Sequence, residues 1–462
     1  MRFIVITLGA VLLGACTAPA ARKATAPPHA IVGVEEPQLN ADYWIDRQSH
    51  PSRVILDAAA IAAQNRRLVE TDASVHDLAA LPATLPRATI AGWVEDLSSR
   101  PDKPLYDERG EPVPAATLDA LVADANVAAI PDATPVRYGL VVRRADLRAF
   151  PTRLRVFTSR GDTDIDRFQE SALFPGTPVA LVHASRDGRW WFVASPLYAA
   201  WIEKDHVAEG ERAQVLGYAD KEPHLVVVGT AARTVHTPER PDVSELQLDM
   251  GVRVPVLAQW PADRPVNGQH PYTSHVIELP ARDANGRLEF VPALLPKTNE
   301  TSSDYLPLTA AHLLQQGFKF LGERYGWGHS YNARDCSGFV SEIYRSFGVT
   351  LPRNTRDMAV SPALNRLAFT ERDDAATRLA ALRALEAGDL IFIPGHVMMV
   401  IGHVDGEPYV IHDTTGISYR NDKGEMTRVH LNAVSVSPLT PLLLNENTSY
   451  IDRIYSIQRI RK

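Results

Sequence analysis

The spacing of apolar and polar positions changes along the chain and divides it into segments of different predicted structure. Residues 51–125 place apolar side chains at helical spacing between repeated prolines, which predicts a small, mostly helical segment. Residues 126–298 alternate with a period of two, which predicts short strands joined by tight turns. Residues 299–462 mix the two patterns, with an amphipathic helical pattern after Cys336. The predicted fold is a multidomain α+β chain.

The period-two region contains two successive units of similar texture, residues 126–210 and residues 211–298. Each has several short apolar runs separated by turn residues, and Asp187-Gly188 supplies the positive φ of a tight hairpin turn. Short strands in units of this size predict two small β-barrels. Core packing is the expected role of Trp190 and Trp201 in the first unit.

The first sixteen residues have the three parts of an export signal. Arg2 supplies a positive charge, an apolar run extends to Leu13, and small residues precede Cys16. The apolar run is too short for an ordinary membrane span. This end resembles a bacterial lipobox. The resemblance implies that residues 1–16 are a lipoprotein signal peptide and that Cys16 is lipidated as the mature N-terminus.

Residues 17–50 are rich in alanine and proline, with few large apolar side chains, which predicts a flexible tether. Thr17, rather than an aspartate, follows the lipidation site. By resemblance to Gram-negative sorting, this implies the outer membrane in a Gram-negative host. The expected location is therefore exported and lipid-anchored, facing the periplasm, and the membrane is one expected partner.

Composition restricts the chemistry further. The formal charge of −7 over 462 residues argues against a nucleic-acid-binding surface. The two cysteines, Cys16 and Cys336, exclude a disulfide framework, and a single core thiol cannot build a cysteine zinc site. No metal or cofactor is expected, so Cys336 must be explained by itself.

Cys336 follows a glycine-rich, aromatic loop and opens the amphipathic helical pattern. At a helix N-terminus the dipole favours a thiolate, so a lowered thiol pKa is expected, and unpaired backbone N–H groups can hold an oxyanion. An inert buried cysteine is the alternative. The polar neighbours Asp335 and Ser337, and the open turn at Gly338, favour a nucleophile.

A nucleophilic thiol needs a base, and two histidines downstream lie on predicted strands. His396 opens the second of two strands around a Pro-Gly turn, and His412 lies on a third strand. His396 is the predicted base, and His412 is the predicted group that orients it. His403 is the nearest competitor, but it is predicted to lie in the turn to Asp405-Gly406.

These motifs together resemble the NlpC-type papain-like cysteine peptidases over about residues 300–460. The runs that carry the resemblance are Tyr325-Gly326-Trp327-Gly328, Arg334-Asp335-Cys336-Ser337-Gly338-Phe339-Val340, Gly388-Asp389-Leu390-Ile391-Phe392, Gly395-His396-Val397 and Val410-Ile411-His412. The resemblance implies a catalytic triad of Cys336, His396 and His412 on a small papain-like α+β fold. Gly328-His329 departs from the family, which often has a second glycine there.

The predicted barrels resemble bacterial SH3-type domains, through the stretch from Gly176 to Trp201. The whole layout resembles the γ-D-glutamyl-L-diamino acid endopeptidases, which cut peptidoglycan stem peptides between D-Glu and the diamino acid. The resemblance implies that the substrate is contacted by Asp335, Tyr325, Ser337 and Trp327. Asp335 would pair with the ammonium group of a free N-terminal L-Ala. A helix N-cap is the other interpretation of Asp335.

The same subgroup takes a second substrate contact from its first SH3-type domain. An acidic residue is expected near Gly176, but Thr177 stands there, so Glu170 or Tyr198 is the alternative.

The expected function is cleavage of the γ-D-glutamyl bond in stem peptides or muropeptides, through a thioester on Cys336. A thiol amidase or acyltransferase acting on another amide or on a lipid is a second hypothesis. A wall-binding anchor with an inactive peptidase domain is a third. Diaminopimelate and lysine both fit as the diamino acid, and endopeptidase cleavage and dipeptide release both fit as the mode of action.

Overall fold

The computed structural model describes residues 32–461 of the chain. The predicted signal peptide, Cys16 and the first part of the predicted tether lie outside the described residues. Between residues 32 and 461, no helix combines the length and the apolar character that crossing a bilayer requires.

Residues 36–50 pack on the C-terminal part of the chain, so the prediction of a tether is wrong for this segment. A 3₁₀ turn at Glu36–Leu39 leads into helix α1 (Ala41–Ile45). Trp44 is fully buried, and its ring centroid lies 5.1 Å from that of Tyr409. Leu39, Tyr43 and Ile45 pack against the same core as Trp44, so the segment buries apolar surface although its average composition indicates a linker.

The segment from residue 51 to residue 125 is mostly helical. Its elements are β1 (Val54–Leu56), α2 (Ala58–Thr71), β2 (Thr84–Pro86), α3 (Arg87–Leu97) and α4 (Ala115–Asp124). Strand β1 pairs antiparallel with Leu308–Thr309. On α2, the side chain of Asn65 donates to the Gly348 carbonyl at 2.7 Å and accepts from the Thr350 N–H at 3.0 Å. The helical segment therefore wraps onto the C-terminal domain.

Residues 133–210 form the first β domain. Its strands are β3 (Ala133–Pro135), β4 (Arg137–Val141), β5 (Ala145–Arg148), β6 (Gln169–Leu173), β7 (Pro178–Ala184), β8 (Trp190–Ala194), β9 (Ala199–Glu203) and β10 (Val207–Gly210). Strand β3 pairs with β2, and the others form one antiparallel sheet in the order β10-β4-β7-β8-β9-β5-β6. Trp190 and Trp201 are buried in its core together with Ile90 and Val94 of α3.

Residues 212–302 form the second β region. Its elements are α5 (Arg212–Gly217), β11 (His224–Val227), β12 (Ala231–Arg233), β13 (Gln247–Asp249), β14 (Arg253–Pro255), β15 (Ser274–Arg282), β16 (Leu288–Pro296) and β17 (Thr301–Ser302). Strand β11 pairs with β14 and β17, β12 with β13, and β15 with β16. Because β17 belongs to this region, the region extends past the predicted boundary at residue 298. Its assignment as a second SH3-like barrel stays a prediction.

Residues 308–461 form the C-terminal domain. Its elements are β18 (Leu308–Thr309), α6 (Ala310–Phe318), α7 (Cys336–Arg345), α8 (Thr355–Val360), β19 (Asn365–Ala368), α9 (Ala375–Leu382), β20 (Leu390–Ile393), β21 (His396–Val404), β22 (Glu407–Arg420), β23 (Met426–Pro438), β24 (Leu443–Asn445), β25 (Thr448–Ser449), α10 (Tyr450–Arg453) and β26 (Ser456–Arg459). The sheet order is β19-β26-β20-β21-β22-β24-β25, and β23 also pairs with β22. The apolar face of α7 shares one buried core with alternate residues of β21 and β22.

A buried guanidinium joins the C-terminal domain to the second β region. The Arg334 side chain is 2% exposed and donates to Asp249 at 2.8 Å and to Glu342 and Glu323 at 2.9 Å. It also donates to the Thr230 carbonyl at 2.7 Å. Burial alone would raise the pKa of Glu342, but Arg334 and the neighbouring His329 hold this pKa at about 2. Arg334 therefore compensates negative charge in a region that excludes water.

We predict that Arg334→Met lowers the free energy of unfolding by about 3–5 kcal/mol, because it leaves buried carboxylates without their counter-charge. Urea unfolding followed by circular dichroism measures this change. The matched control is Arg324→Met, since the Arg324 side chain is 65% exposed and pairs with Asp164 at 3.1 Å. That variant should change the free energy by no more than about 1 kcal/mol. Equal effects of the two substitutions would contradict the structural role of Arg334.

Candidate active site

Cys336 is the first residue of α7, and the residue is 6% exposed. Asp335 caps the helix by accepting from the Gly338 N–H at 2.8 Å. Burial first, and the Asp335 charge second, raise the pKa of Cys336 to about 12, although a hydrogen bond from the Val397 backbone N–H opposes this shift. The expected lowering of the thiol pKa is therefore wrong for the resting site, since desolvation outweighs the helix dipole. The resting sulfur is a neutral thiol.

His396 and His412 form a hydrogen-bonded pair. His396 directly precedes Val397, whose backbone N–H donates to the sulfur of Cys336. His396 is the first residue of β21, and its Nε2 lies 2.8 Å from Nδ1 of His412. His412 is fully buried, and its Nε2 lies 3.2 Å from Oγ of Ser437. Since Nε2 of His396 is occupied, Nδ1 is the atom left to accept a proton from a thiol. Each ring must then carry its proton on Nε2, with His396 donating to His412 and His412 donating to Ser437.

Both imidazoles are neutral at pH 7. Burial lowers the pKa of His396 to about 4. Burial, and secondarily the charge of His396, lower the pKa of His412 well below its ordinary value. A neutral His396 can act as a general base without first losing a proton to water.

His403 does not lie in the predicted turn. It lies within β21, and its Nε2 contacts the Leu382 carbonyl at 3.1 Å. The strand continues to Val404, and the turn occupies Asp405 and Gly406 as predicted. The structure therefore ties His403 to the end of α9 rather than to the histidine pair.

The carboxylate of Asp335 accepts four hydrogen bonds. Oδ1 accepts from the Gly338 N–H at 2.8 Å and from the Ser337 hydroxyl at 3.1 Å. Oδ2 accepts from the Gly328 N–H at 3.0 Å and from Arg353 Nη2 at 2.8 Å. Burial alone would raise the pKa of Asp335, but the Arg353 guanidinium leads the groups that lower it to about 2. The N-cap interpretation is confirmed, and contact of Asp335 or Ser337 with substrate stays a prediction.

The aromatic loop before Cys336 is held against the first β domain. Trp327 donates from Nε1 to the Gln169 carbonyl at 2.9 Å, and Gln169 Nε2 donates to the Gly328 carbonyl at 2.8 Å. Gly328 has a φ of +56°, and a Cβ there would lie 2.8 Å from the Gln169 side chain. A glycine at this position lets strand β6 approach the loop closely. Trp327 therefore contacts the first β domain, and its contact with substrate stays a prediction.

Tyr325 is buried beside the nucleophile. Burial, followed by the charges of Cys336 and Asp335, raises the pKa of Tyr325 well above its ordinary value. Its hydroxyl therefore stays protonated and available as a hydrogen-bond donor. Its role as a substrate contact stays a prediction.

Four polar residues at the site lie outside the predicted set: His329, Arg353, Asp413 and Ser437. His329 is buried where the family often has a glycine, and its Nδ1 lies 3.1 Å from Arg353 Nη2. Asp413 follows His412, and within residues 32–461 neither of its carboxyl oxygens has a hydrogen-bond partner. Burial raises the pKa of Asp413 well above its ordinary value. Isolated polar residues leave no periodic signal in a sequence, so these contacts emerge only from the fold.

The part of the chain that the structure describes contains no group of three or more His, Cys, Asp or Glu residues placed to hold a metal ion.

A thiol at a helix N-terminus, next to a histidine pair on an antiparallel sheet, defines a cysteine peptidase domain of the papain-like class. Residues 322–436 match the NlpC/P60 family, and residues 155–203 match the SH3 domain of SH3b1 type. The C-terminal domain thus belongs to the NlpC/P60 family, and the first β domain is an SH3-type domain.

Two curated relatives resemble part of the chain. The bifunctional muramidase/DL-endopeptidase CwlT of Bacillus subtilis is 28% identical over 129 residues, which are 26% of this chain and 34% of CwlT. The γ-D-glutamyl-L-lysine dipeptidyl-peptidase of Bacillus cereus is 30% identical over 165 residues, which are 34% of this chain and 42% of the relative. The chain thus matches less than half the length of either relative.

A solved structure shares nearly the whole fold. It is that of an NlpC/P60 endopeptidase from Photobacterium damselae subsp. piscicida, with a TM-score of 0.72. The superposition covers 91% of this chain and 96% of that structure at 17% sequence identity. The multidomain α+β fold class predicted from the sequence is confirmed.

We predict that the acid limb of kcat/KM lies well below pH 6.5. Protonation of His396 removes the base, and burial holds the pKa of His396 at about 4, so the neutral imidazole persists into mildly acidic solution. A profile of kcat/KM against pH reports the free enzyme and measures this limb. Pre-incubation at each pH, followed by assay at pH 7, separates titration from acid unfolding. A reversible acid limb near pH 6.5 would contradict the neutral, buried pair.

Proposed function

We propose that this protein is a cysteine peptidase that hydrolyses the γ-D-glutamyl-L-diamino acid bond of peptidoglycan stem peptides. The observation that carries the proposal is the Cys336 thiol at the N-terminus of α7, which accepts a hydrogen bond from the Val397 N–H. Val397 directly follows His396, whose ring pairs with that of His412 at 2.8 Å. The name of the Bacillus cereus relative, a γ-D-glutamyl-L-lysine dipeptidyl-peptidase, supports the choice of bond. Stem peptides and muropeptides are the proposed substrates.

The proposed reaction begins with a neutral thiol and a neutral imidazole. Nδ1 of His396 accepts the thiol proton as the sulfur of Cys336 attacks the γ-carbonyl carbon of D-Glu. Because the pKa of Cys336 is about 12 and that of His396 is about 4, proton transfer accompanies the attack rather than preceding it. The C–N bond then breaks, and His396 gives the proton to the departing amine of the diamino acid.

Water hydrolyses the resulting thioester, with His396 again as the base. The oxyanion of each tetrahedral intermediate needs hydrogen-bond donors. The Cys336 N–H lies in the first turn of α7, where backbone donors have no partner within the helix. The Tyr325 hydroxyl is the proposed second donor, because Tyr325 lies close enough for the charge of Cys336 to raise its pKa.

We assign the ammonium group of a free N-terminal L-Ala to Glu170 of the first β domain. Asp335 already accepts four hydrogen bonds, one of them from a guanidinium. Glu170 is half-buried, and the Tyr198 hydroxyl is its hydrogen-bond partner within residues 32–461. Burial, partly opposed by the Tyr198 hydrogen bond, raises the pKa of Glu170, so a cation arriving beside it would be stabilised. Thr177, where the acidic contact was expected, accepts from the Phe174 N–H at 3.3 Å.

The proposed place of action is outside the cytoplasm, with the chain attached to a membrane through a lipid on Cys16. The support for this assignment is the signal-like pattern of residues 1–16 and the location of the proposed substrate.

We predict that Cys336→Ala lowers kcat on stem peptides by at least about 10⁴-fold, because the nucleophile is removed. Mass spectrometry of the products measures both the rate and the bond that is cut. Release of L-Ala-D-Glu from free stems would support dipeptide release, and cleavage of N-acetylated stems would indicate an endopeptidase. Full activity of Cys336→Ala would refute the proposal, and no cleavage by the wild type would favour a wall-binding anchor.

We predict that Glu170→Gln lowers kcat/KM for a stem peptide with a free N-terminal L-Ala by about 10-fold, since a charged partner of the ammonium group is lost. The same variant should leave the low rate on an N-acetylated stem unchanged. Glu203→Gln is the matched control, because Glu203 lies on the same domain and pairs with the exposed Arg153. An equal loss on free and acetylated stems would contradict ammonium recognition by Glu170.

A further inference from the structure

Arg353 lies where the first β domain, the loop before the nucleophile and the start of α7 meet. Arg353 is 8% exposed, and its guanidinium has partners in all three of these segments. Nε donates to Ser171 Oγ at 2.7 Å, and Nη1 donates to Ser337 Oγ at 2.8 Å. Nη2 lies 2.8 Å from Asp335 Oδ2 and 3.1 Å from His329 Nδ1.

Two of these partners are the immediate neighbours of Cys336 in the chain. Asp335 sets the start of α7 through its bond to the Gly338 N–H, and it also holds the Gly328 N–H of the preceding loop. The direction of the Cys336 backbone N–H, the proposed oxyanion donor, therefore depends on where the Asp335 carboxylate is held. Arg353 is the cation that holds it.

Arg353 also supplies charge. The Asp335 carboxylate is a source of negative potential at the sulfur, and Arg353 is a source of positive potential there. Asp335 therefore opposes the formation of a thiolate at Cys336, and Arg353 favours it. An Asp335 carboxylate left without Arg353 would oppose thiolate formation more strongly.

His329 completes the arrangement as an acceptor. Burial lowers the pKa of His329 to about 4, so the ring is neutral at pH 7. Because Arg353 donates to Nδ1, the proton of the neutral ring lies on Nε2, which is 3.3 Å from Glu342 Oε1. The guanidinium thus has a defined partner on every side and little freedom to move.

We propose that Arg353 is a positioning residue for Cys336. Through its hydrogen bond to Ser171, Arg353 couples the position of the nucleophile to the docking of the first β domain. This inference rests on the proposed peptidase function and deepens it by naming the group that couples the two domains. The effect of Arg353 passes through Asp335 and Ser337.

The experiment uses the full-length protein and two readouts. The first is the rate of Cys336 alkylation by iodoacetamide as a function of pH, and the pH of half-maximal rate is the alkylation midpoint. Peptide mass spectrometry follows the reaction, because it distinguishes Cys336 from Cys16, the other cysteine of the chain. The second is kcat and KM on stem peptides. Alkylation needs no substrate, so it tests Arg353 even if the proposed peptidase activity fails.

Arg353→Gln should move the alkylation midpoint to higher pH and lower kcat by about 10- to 100-fold, with KM changed by less than about threefold. Arg353→Lys keeps the charge but not the fork geometry. It should leave the midpoint near that of the wild type and recover part of kcat. Adding Asp335→Asn to Arg353→Gln removes the uncompensated carboxylate and should return the midpoint toward the wild-type value.

Ser171→Ala isolates the contribution of the first β domain, because it removes one hydrogen-bond acceptor of Arg353 and changes no charge. It should lower kcat by about fivefold without moving the alkylation midpoint. Arg345→Gln is the matched control for loss of a buried arginine, since Arg345 donates to the Met250 carbonyl at 2.8 Å from the far end of α7. It should leave the midpoint unchanged.

The inference is overturned if folded Arg353→Gln retains the wild-type midpoint and kcat. It is also overturned if Arg345→Gln shifts the midpoint as much as Arg353→Gln does, since general loosening would then explain both. If Arg353→Gln does not fold, the midpoint and kcat of Arg353→Lys and Ser171→Ala decide the question. Wild-type values in both of those variants would refute the coupling.

Discussion

The burial of charged side chains around Asp335 and Cys336 is the constraint on which the rest of the structure depends. Arg334 and Arg353 flank Asp335-Cys336, and both guanidinium groups are almost fully removed from water. A buried cation without its partners costs several kcal/mol, so each arginine requires its carboxylates to be in place. Those partners come from the second β region for Arg334 and from α7's cap for Arg353. The domains must therefore dock together for the nucleophile to occupy its position.

The same desolvation sets the protonation states of the site. A water-excluded pocket keeps Cys336 a neutral thiol and His396 a neutral imidazole. The helix dipole, which would favour a thiolate in a more exposed site, is the smaller influence here. The His396–His412–Ser437 chain holds the base in one tautomer, so the reaction begins with the proton and its acceptor already assigned.

Local pattern predicts the positions of Cys336 and His396 in the fold, because each is the first residue of a helix or strand. His412 also lay on a recognisable strand, but its contact with His396 depends on the register between strands. Trp44, Arg353 and Ser437 could not be identified in the same way, since their partners lie far away in the chain and polar residues show no periodicity. The raised pKa of the Cys336 thiol cannot be predicted from the sequence, because burial is a property of the assembled domains and not of the helix that carries Cys336.

The packing of residues 36–50 on the catalytic sheet has a consequence for the order in which the molecule can be completed. Gln48 Nε2 lies 3.4 Å from the Ile401 carbonyl, and the two residues are 353 positions apart. Contacts of such long range form late in folding, because loop closure must be met before they contribute. The core beneath the nucleophile therefore closes only after Ile401 has been synthesised. A chain that stops before Ile401 would hold the cysteine without the environment that makes it a catalyst, and this topology delays hydrolytic activity until the catalytic sheet is in place.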